Sequence, residues 1–227
     1  PNAKIVTIED TPELQVPHGN WIREVIQTNK ENAESGVTMF DLLKAALRQR
    51  PNMIMVGEIR GAEGAIAFQA MQTGHSVMAT FHAASVEKLI QRLTGAPISV
   101  PKNYVDNLNL VVIQSAVRLP NGKMGRRALS VNEIVGYDPQ SQSFSFVEVF
   151  RWDPARDVFE FTGNLSSYLL EDKIAMRRGI PTHQRKRIYA EVERRAKILE
   201  RLHKEQQVKG FYELLGVLAK AQKEGLF

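Results

Sequence analysis

Short, continuous apolar runs alternate with helical patterns through the first half of this chain, and that alternation most constrains its fold. Met53–Val56 is apolar without a polar residue between, as in strands covered on both faces. Before it, Thr38 opens a helix with Asp41 as its capping-box partner and Phe40, Leu43 and Leu47 on one face, ending at Pro51. After it, Gly61–Thr73 is an Ala- and Met-rich helical stretch that Gly74 closes in a left-handed cap. Lys4–Ile8 reads as an earlier strand, Ser76–Phe81 as a later one, and Ser85 caps a helix to about Leu93. This βαβαβ order predicts an α/β fold with a parallel sheet and flanking helices.

From Leu110 the pattern changes. Leu110–Leu119 and Arg126–Gly136 flank the turn-rich Pro120–Gly125, and Phe144–Trp152 and Val158–Phe161 flank Asp153–Asp157, which predicts two β-hairpins. From Ser166 the chain reads as helical, with Thr182 opening a long helix and the last helix ending near Gly225. The expected division places a core at 1–136 and a hairpin-and-helix subdomain at 137–227, with the seam at the Gly136–Pro139 turn.

Composition narrows the chemistry. With 43% apolar residues in 227, the chain can build a sizeable core, and the absence of Cys excludes a disulfide framework, a zinc–thiolate site and a cysteine nucleophile. No apolar stretch approaches the ~20 residues of a spanning helix. The start lacks the basic and apolar regions of a signal peptide, and an opening at Pro1 inside a strand pattern predicts a piece of a longer protein. Lys173–Glu205 carries eleven Lys/Arg and four Asp/Glu, a local excess of +7 within a total of +5. Such a run reads as a solvated helical face, with Glu191 near Arg194 and Arg195, or as a docking surface for an acidic partner or anionic membrane. With Tyr189 its sole aromatic residue, it lacks the stacking residues of a single-strand nucleic-acid platform.

In a parallel sheet, ligands bind beyond the strands' C-terminal ends. Lys4–Ile8 runs into Glu9 and Asp10, Met53–Val56 into Gly57 and Glu58, and Ser76–Phe81 into His82, so Glu9, Glu58 and His82 should converge on one rim. Such a group could activate water or hold a metal-bound phosphate, although a buried strand ending in a polar turn is also ordinary. His75 cannot share an ion with His82, since seven strand steps separate them by roughly 23 Å. At the opposite strand end, His75 fits a turn beside Gly74 or a contact with a neighbouring subunit.

In order, these segments resemble the secretion ATPase superfamily. Ile-Glu-Asp-Thr-Pro-Glu at 8–13 resembles its aspartate box, LRQRPNMIMVGEIRG at 47–61 its Walker B segment, and TGHSVMATFHA at 73–83 its histidine box. The resemblance implies a RecA-like P-loop NTPase core, here partial, in an ATPase that binds ATP and Mg2+. It further implies a homo-hexamer at the inner, cytoplasmic face of the cell membrane, working with a membrane-embedded platform protein and accessory motor proteins, with nucleic acid not expected. PHGNW at 17–21, VTMFDLLKAALRQRPN at 37–52, SVEKLIQRL at 85–93, NEIVGYDP at 132–139, FRWDP at 150–154 and YELLGVLAKA near the end look like the archaellum motor branch. Type II secretion and type IV pilus ATPases are similar here.

By that resemblance Glu9 and Glu58 are the catalytic acids, in exchangeable roles. Asp10 and Glu58 serve Mg2+ through water, and His82, with His75, senses nucleotide. Arg60, Arg48 and Arg50 are candidates for charge pairing or an interface. The family's G-x-x-x-x-G-K-[ST] loop is absent: Gly122-Lys123 lies in a hairpin turn and is followed by Met124. Without that phosphate cradle the chain alone should bind nucleotide poorly and be inactive. The resemblance also suggests a shortened segment near Asn29–Gly36. Two other readings stay open: a non-catalytic interaction module, and a DNA-linked motor.

Overall fold

A computed structural model describes residues 2–26 and 36–225, so most of the segment expected to be shortened lies outside the described residues. The chain forms two compact units, residues 2–162 and the residues from Gly163 onward.

The first unit contains the expected parallel sheet. β1 (Ile5–Glu9), β2 (Trp21–Val25), β3 (Met53–Val56) and β4 (Ser76–Ala79) lie in the order β2-β1-β3-β4, every pair parallel. Helices α1 (Met39–Arg48), α2 (Glu63–Gln72) and α3 (Val86–Thr94) connect or follow these strands. β2 is an addition to the sequence reading. Its Arg23-Glu24 pair and the preceding Pro17-His18-Gly19 disguise it as loop, but β1 supplies a ladder partner along its whole length. Trp21 Nε1 also donates to the buried Thr7 Oγ1 at 2.9 Å.

Local signals set the helix ends. The Thr38 side chain accepts from Asp41 N at 3.2 Å, and Asp41 Oδ2 accepts from Thr38 N at 3.1 Å, which satisfies two otherwise orphaned donors. Gly74 takes φ +90°, a conformation costly for a residue with a Cβ, and closes α2 as expected. Val6, Ile8, Ile54 and Val56 from the sheet, Leu43 and Ala46 from α1, and Phe68 from α2 form the core.

An antiparallel sheet completes this unit, with β5 (Leu110–Arg118), β6 (Met124–Asp138), β7 (Ser143–Asp153) and β8 (Val158–Glu160) in sequential order. The two expected hairpins are present and joined, because β6 pairs with β7. The expected seam at Gly136–Pro139 is therefore corrected: β6 runs through Gly136 to Asp138, and a cut there would sever a ladder. The chain divides instead between Thr162 and Gly163. Arg127 clamps the far hairpin through paired 2.7 Å bonds from Nε and Nη2 to Asp157, which also accepts from Trp152 Nε1 at 2.8 Å.

The second unit is helical. A π-helical turn at Leu169–Ile174 enters α4 (Ala175–Arg177), a 3-10 turn at Thr182–Arg187 enters α5 (Ile188–Lys204), and α6 spans Phe211–Lys223. Tyr189 Oη accepts from Ser167 N and donates to Glu171 Oε1, each at 2.8 Å. Hydrogen bonds from Arg194 and Arg195 hold Glu191 far below the usual carboxylate range, so part of the basic run is internally compensated. No helix among the described residues is long and apolar enough to cross a membrane.

The Arg127 and Trp152 bonds lower the Asp157 pKa from 3.8 to about 2. A depressed acid stabilises the fold above its unfolded pKa and loses that contribution as pH falls through the folded value. Asp157→Asn should therefore lower the thermal midpoint at pH 7, with the gap to wild type closing as pH falls from 3.8 towards 2. Circular-dichroism melts across that range test it.

Candidate functional site

Register builds the site. Ile8 lies level with Val56, and Val56 with Ala79, so β1, β3 and β4 end together at one sheet edge. The alignment continues past the strands: Gly57 N donates to Ile8 O at 2.8 Å and Ile59 N to Thr80 O at 3.1 Å. Thr80 Oγ1 also donates to Gly57 O. The residues after each strand are thereby delivered to a common rim.

Four predicted residues meet there. Arg60 Nη2 lies 2.5 Å from Glu58 Oε2, Arg60 Nη1 lies 3.9 Å from Asp10 Oδ2, and His82 Nε2 lies 3.3 Å from Glu58 Oε1. Glu58 is the shielded member, its side chain 22% exposed against 83% for His82. The hydrogen bond from Arg60 holds the Glu58 carboxyl below its ordinary range, with the charges of Arg60, His82 and Arg92 adding to it and partial burial opposing it. The same pairing raises the Arg60 pKa.

Glu9 sits beneath this group rather than in it. It is 1% exposed, and its Oε1 accepts from the backbone N–H groups of Glu13 and Leu14, both at 2.7 Å. Its Oε2 faces Arg23 Nε at 3.4 Å. A Cβ added to Gly57 would fall 3.1 Å from Glu9 Cγ, so glycine there lets the Glu58 strand end lie against the Glu9 stem. Glu9 thus ties down the loop that begins with Asp10.

The remaining candidates lie elsewhere. His75, at the other end of β4, is 3.1 Å from Thr73 Oγ1 through Nδ1 and belongs to the turn closing α2. Arg48 ends α1, and Arg50 follows with φ 54°; both are exposed and make no ion pair among the described residues. Three residues escaped the sequence reading. Arg23 was hidden with β2. Glu63, an acid in the first turn of α2, accepts from Arg60 N and Gly61 N at 2.6 and 2.7 Å and so fixes the backbone that follows Glu58. Arg92 returns from α3 to the His82 carbonyl oxygen, a pairing across ten residues that sequence spacing does not signal.

Among the described residues no three His, Asp or Glu side chains form a cage that could hold a metal ion unaided. Glu58 and Asp10 nevertheless fit an outer-shell place around Mg2+. Glu58 is held anionic, each carboxylate oxygen has two acceptor sites, and Mg2+ keeps several waters when bound by one or two carboxylates and phosphates.

Known proteins are similar to this chain in sequence. Two uncharacterised proteins of Methanocaldococcus jannaschii are each 46% identical to this chain. One matches over 226 residues, all of this chain and 40% of its own length. The other matches over 205 residues, 90% of this chain and 73% of its own length. The type IV pilus assembly ATPase PilB of Pseudomonas aeruginosa is 39% identical over 119 residues, covering 52% of this chain and 19% of PilB. The family profile described as type II/IV secretion system protein matches residues 1–161, which include both sheets and the whole rim, and the chain therefore belongs to that family.

Proposed function

We propose that this chain is part of a secretion-type ATPase in which the rim of Asp10, Glu58, Arg60 and His82 serves ATP hydrolysis. The observation that carries the reading is the bonded Arg60–Glu58–His82 group at the C-terminal edge of a parallel sheet, in a family that includes a pilus assembly ATPase.

Glu58 is the residue best suited to orient an attacking water. It is shielded, anionic and keeps acceptor capacity on both oxygens. A carboxylate with a lowered pKa is a weak proton acceptor, so its contribution is alignment and electrostatics more than full proton removal. Bound Mg2+ would supply charge neutralisation between phosphate oxygens, with Asp10 and Glu58 accepting from its waters. His82, exposed and already paired with Glu58, can donate to a terminal phosphate and report its loss. Glu9 holds the Asp10 loop from below, a positioning role. His75 steadies the α2–β4 turn, and the exposed Arg48 and Arg50 suit contact with a neighbouring subunit.

In the complete parent we place this unit in a homo-hexamer at the cytoplasmic face of the membrane, pushing on an embedded platform protein with accessory motor proteins. The archaellum motor is the branch we favour, on the segments at 17–21, 37–52 and 132–139. A type IV pilus or type II secretion motor is the alternative, favoured by the likeness to PilB.

Glu58→Gln in the full-length parent should abolish turnover while ATP binding and the thermal midpoint stay near wild type; normal turnover would remove Glu58 from the mechanism. Glu9→Ala should instead destabilise the fold by about 1–3 kcal/mol in urea unfolding, because it removes charge-assisted hydrogen bonds to two part-buried loop amides. An unchanged midpoint would sink the positioning role. This chain purified alone, which contains no G-x-x-x-x-G-K-[ST] loop, should show no magnesium-dependent ATPase activity above background.

A further inference from the structure

The residues between β4 and α3 carry His82 without the support of a ladder. Thr80 is tied to Gly57 and Ile59, and Ser85 caps α3 by accepting from Lys88 N. Between those ties, the backbone of residues 81–84 has one hydrogen-bond anchor among the described residues. That anchor is Arg92, whose Nη1 donates to the His82 carbonyl oxygen. The guanidinium of Arg92 also lies over the Phe81 ring, 4.7 Å from its centroid.

α3 is a rigid base for such a strap. Val86, Leu89, Ile90 and Leu93 are all buried in the core, and Phe81 packs against the same core. Arg92 thus connects a fixed helix to an exposed loop by a planar cation that bonds a carbonyl through one edge and stacks through its face. Lysine has no planar face and cannot do both at once.

We propose that Arg92 is a positioning residue that holds the His82 loop so that the imidazole meets Glu58. The inference rests on the reading of His82 as part of the hydrolytic rim, and it adds a residue that acts through the His82 loop. Its charge also favours the Glu58 carboxylate.

Two measurements test it. In the full-length parent, Arg92→Lys should lower kcat about tenfold, the usual scale for an outer-shell support, with KM within about twofold. Phe81→Leu, which removes the stacking ring, should act in the same direction. In a His82→Ala background, Arg92→Lys should have no further effect. An equal loss in both backgrounds, or an unchanged kcat, overturns the inference while leaving the rim intact. Full turnover by His82→Ala alone overturns the reading of the rim and this inference with it. In the present chain, hydrogen exchange at residues 81–84 should quicken in Arg92→Lys while α3 stays protected. Unchanged exchange at 81–84, or loss of protection throughout α3, counts against a loop-positioning role.

Discussion

Level parallel pairing of β1, β3 and β4 is the constraint on which the rest of the first unit depends. A one-residue slip of a strand in this ladder would turn all its side chains to the opposite face. Here β1 is buried along most of its length, so the register Ile8 to Val56 to Ala79 is held by the core on both sides. The chemistry at the edge inherits that rigidity. Asp10, Glu58 and His82 are distant in sequence, and they meet because three strands stop at the same height.

Carboxylates at this edge are divided by environment. Glu9 is buried and spends its oxygens on two loop amides and Arg23. Removing a carboxylate from water is tolerable only when it is paired and hydrogen-bonded, and these three contacts engage both Glu9 oxygens. Glu58 is only partly shielded, and Arg60 keeps it charged. Two acids at their strand ends therefore differ: Glu9, the last residue of β1, stiffens the loop that follows, and Glu58, two residues past β3, stands at the partly exposed edge. Arg60 links them indirectly, since it also reaches Asp10, the residue after Glu9.

Much of the fold was legible because periodicity and capping are local properties. Thr38 and Asp41 announced α1, Gly74 announced the end of α2, and the apolar run at 53–56 announced a covered strand. Both hairpins were readable from their turns. β2 was not, because Arg23 and Glu24 break the apolar pattern that marks a strand, and only pairing with β1 makes one of it. The seam at 136–139 misled for a related reason. A turn looks the same whether it separates domains or joins two strands that pair, and β6–β7 pairing is a long-range fact.

The amino-acid order by itself determined which chemical groups stand at the ends of the strands, and the resemblance of those ends to secretion ATPase boxes. Both are properties of neighbouring residues. Tertiary structure alone decided how the groups are used: that Glu9 turns inward, that Glu58 is bracketed by Arg60 and His82, and that Arg92 reaches back to the His82 loop. Burial and ion pairing depend on what the folded chain brings within a few ångströms, and no spacing along the sequence encodes that distance.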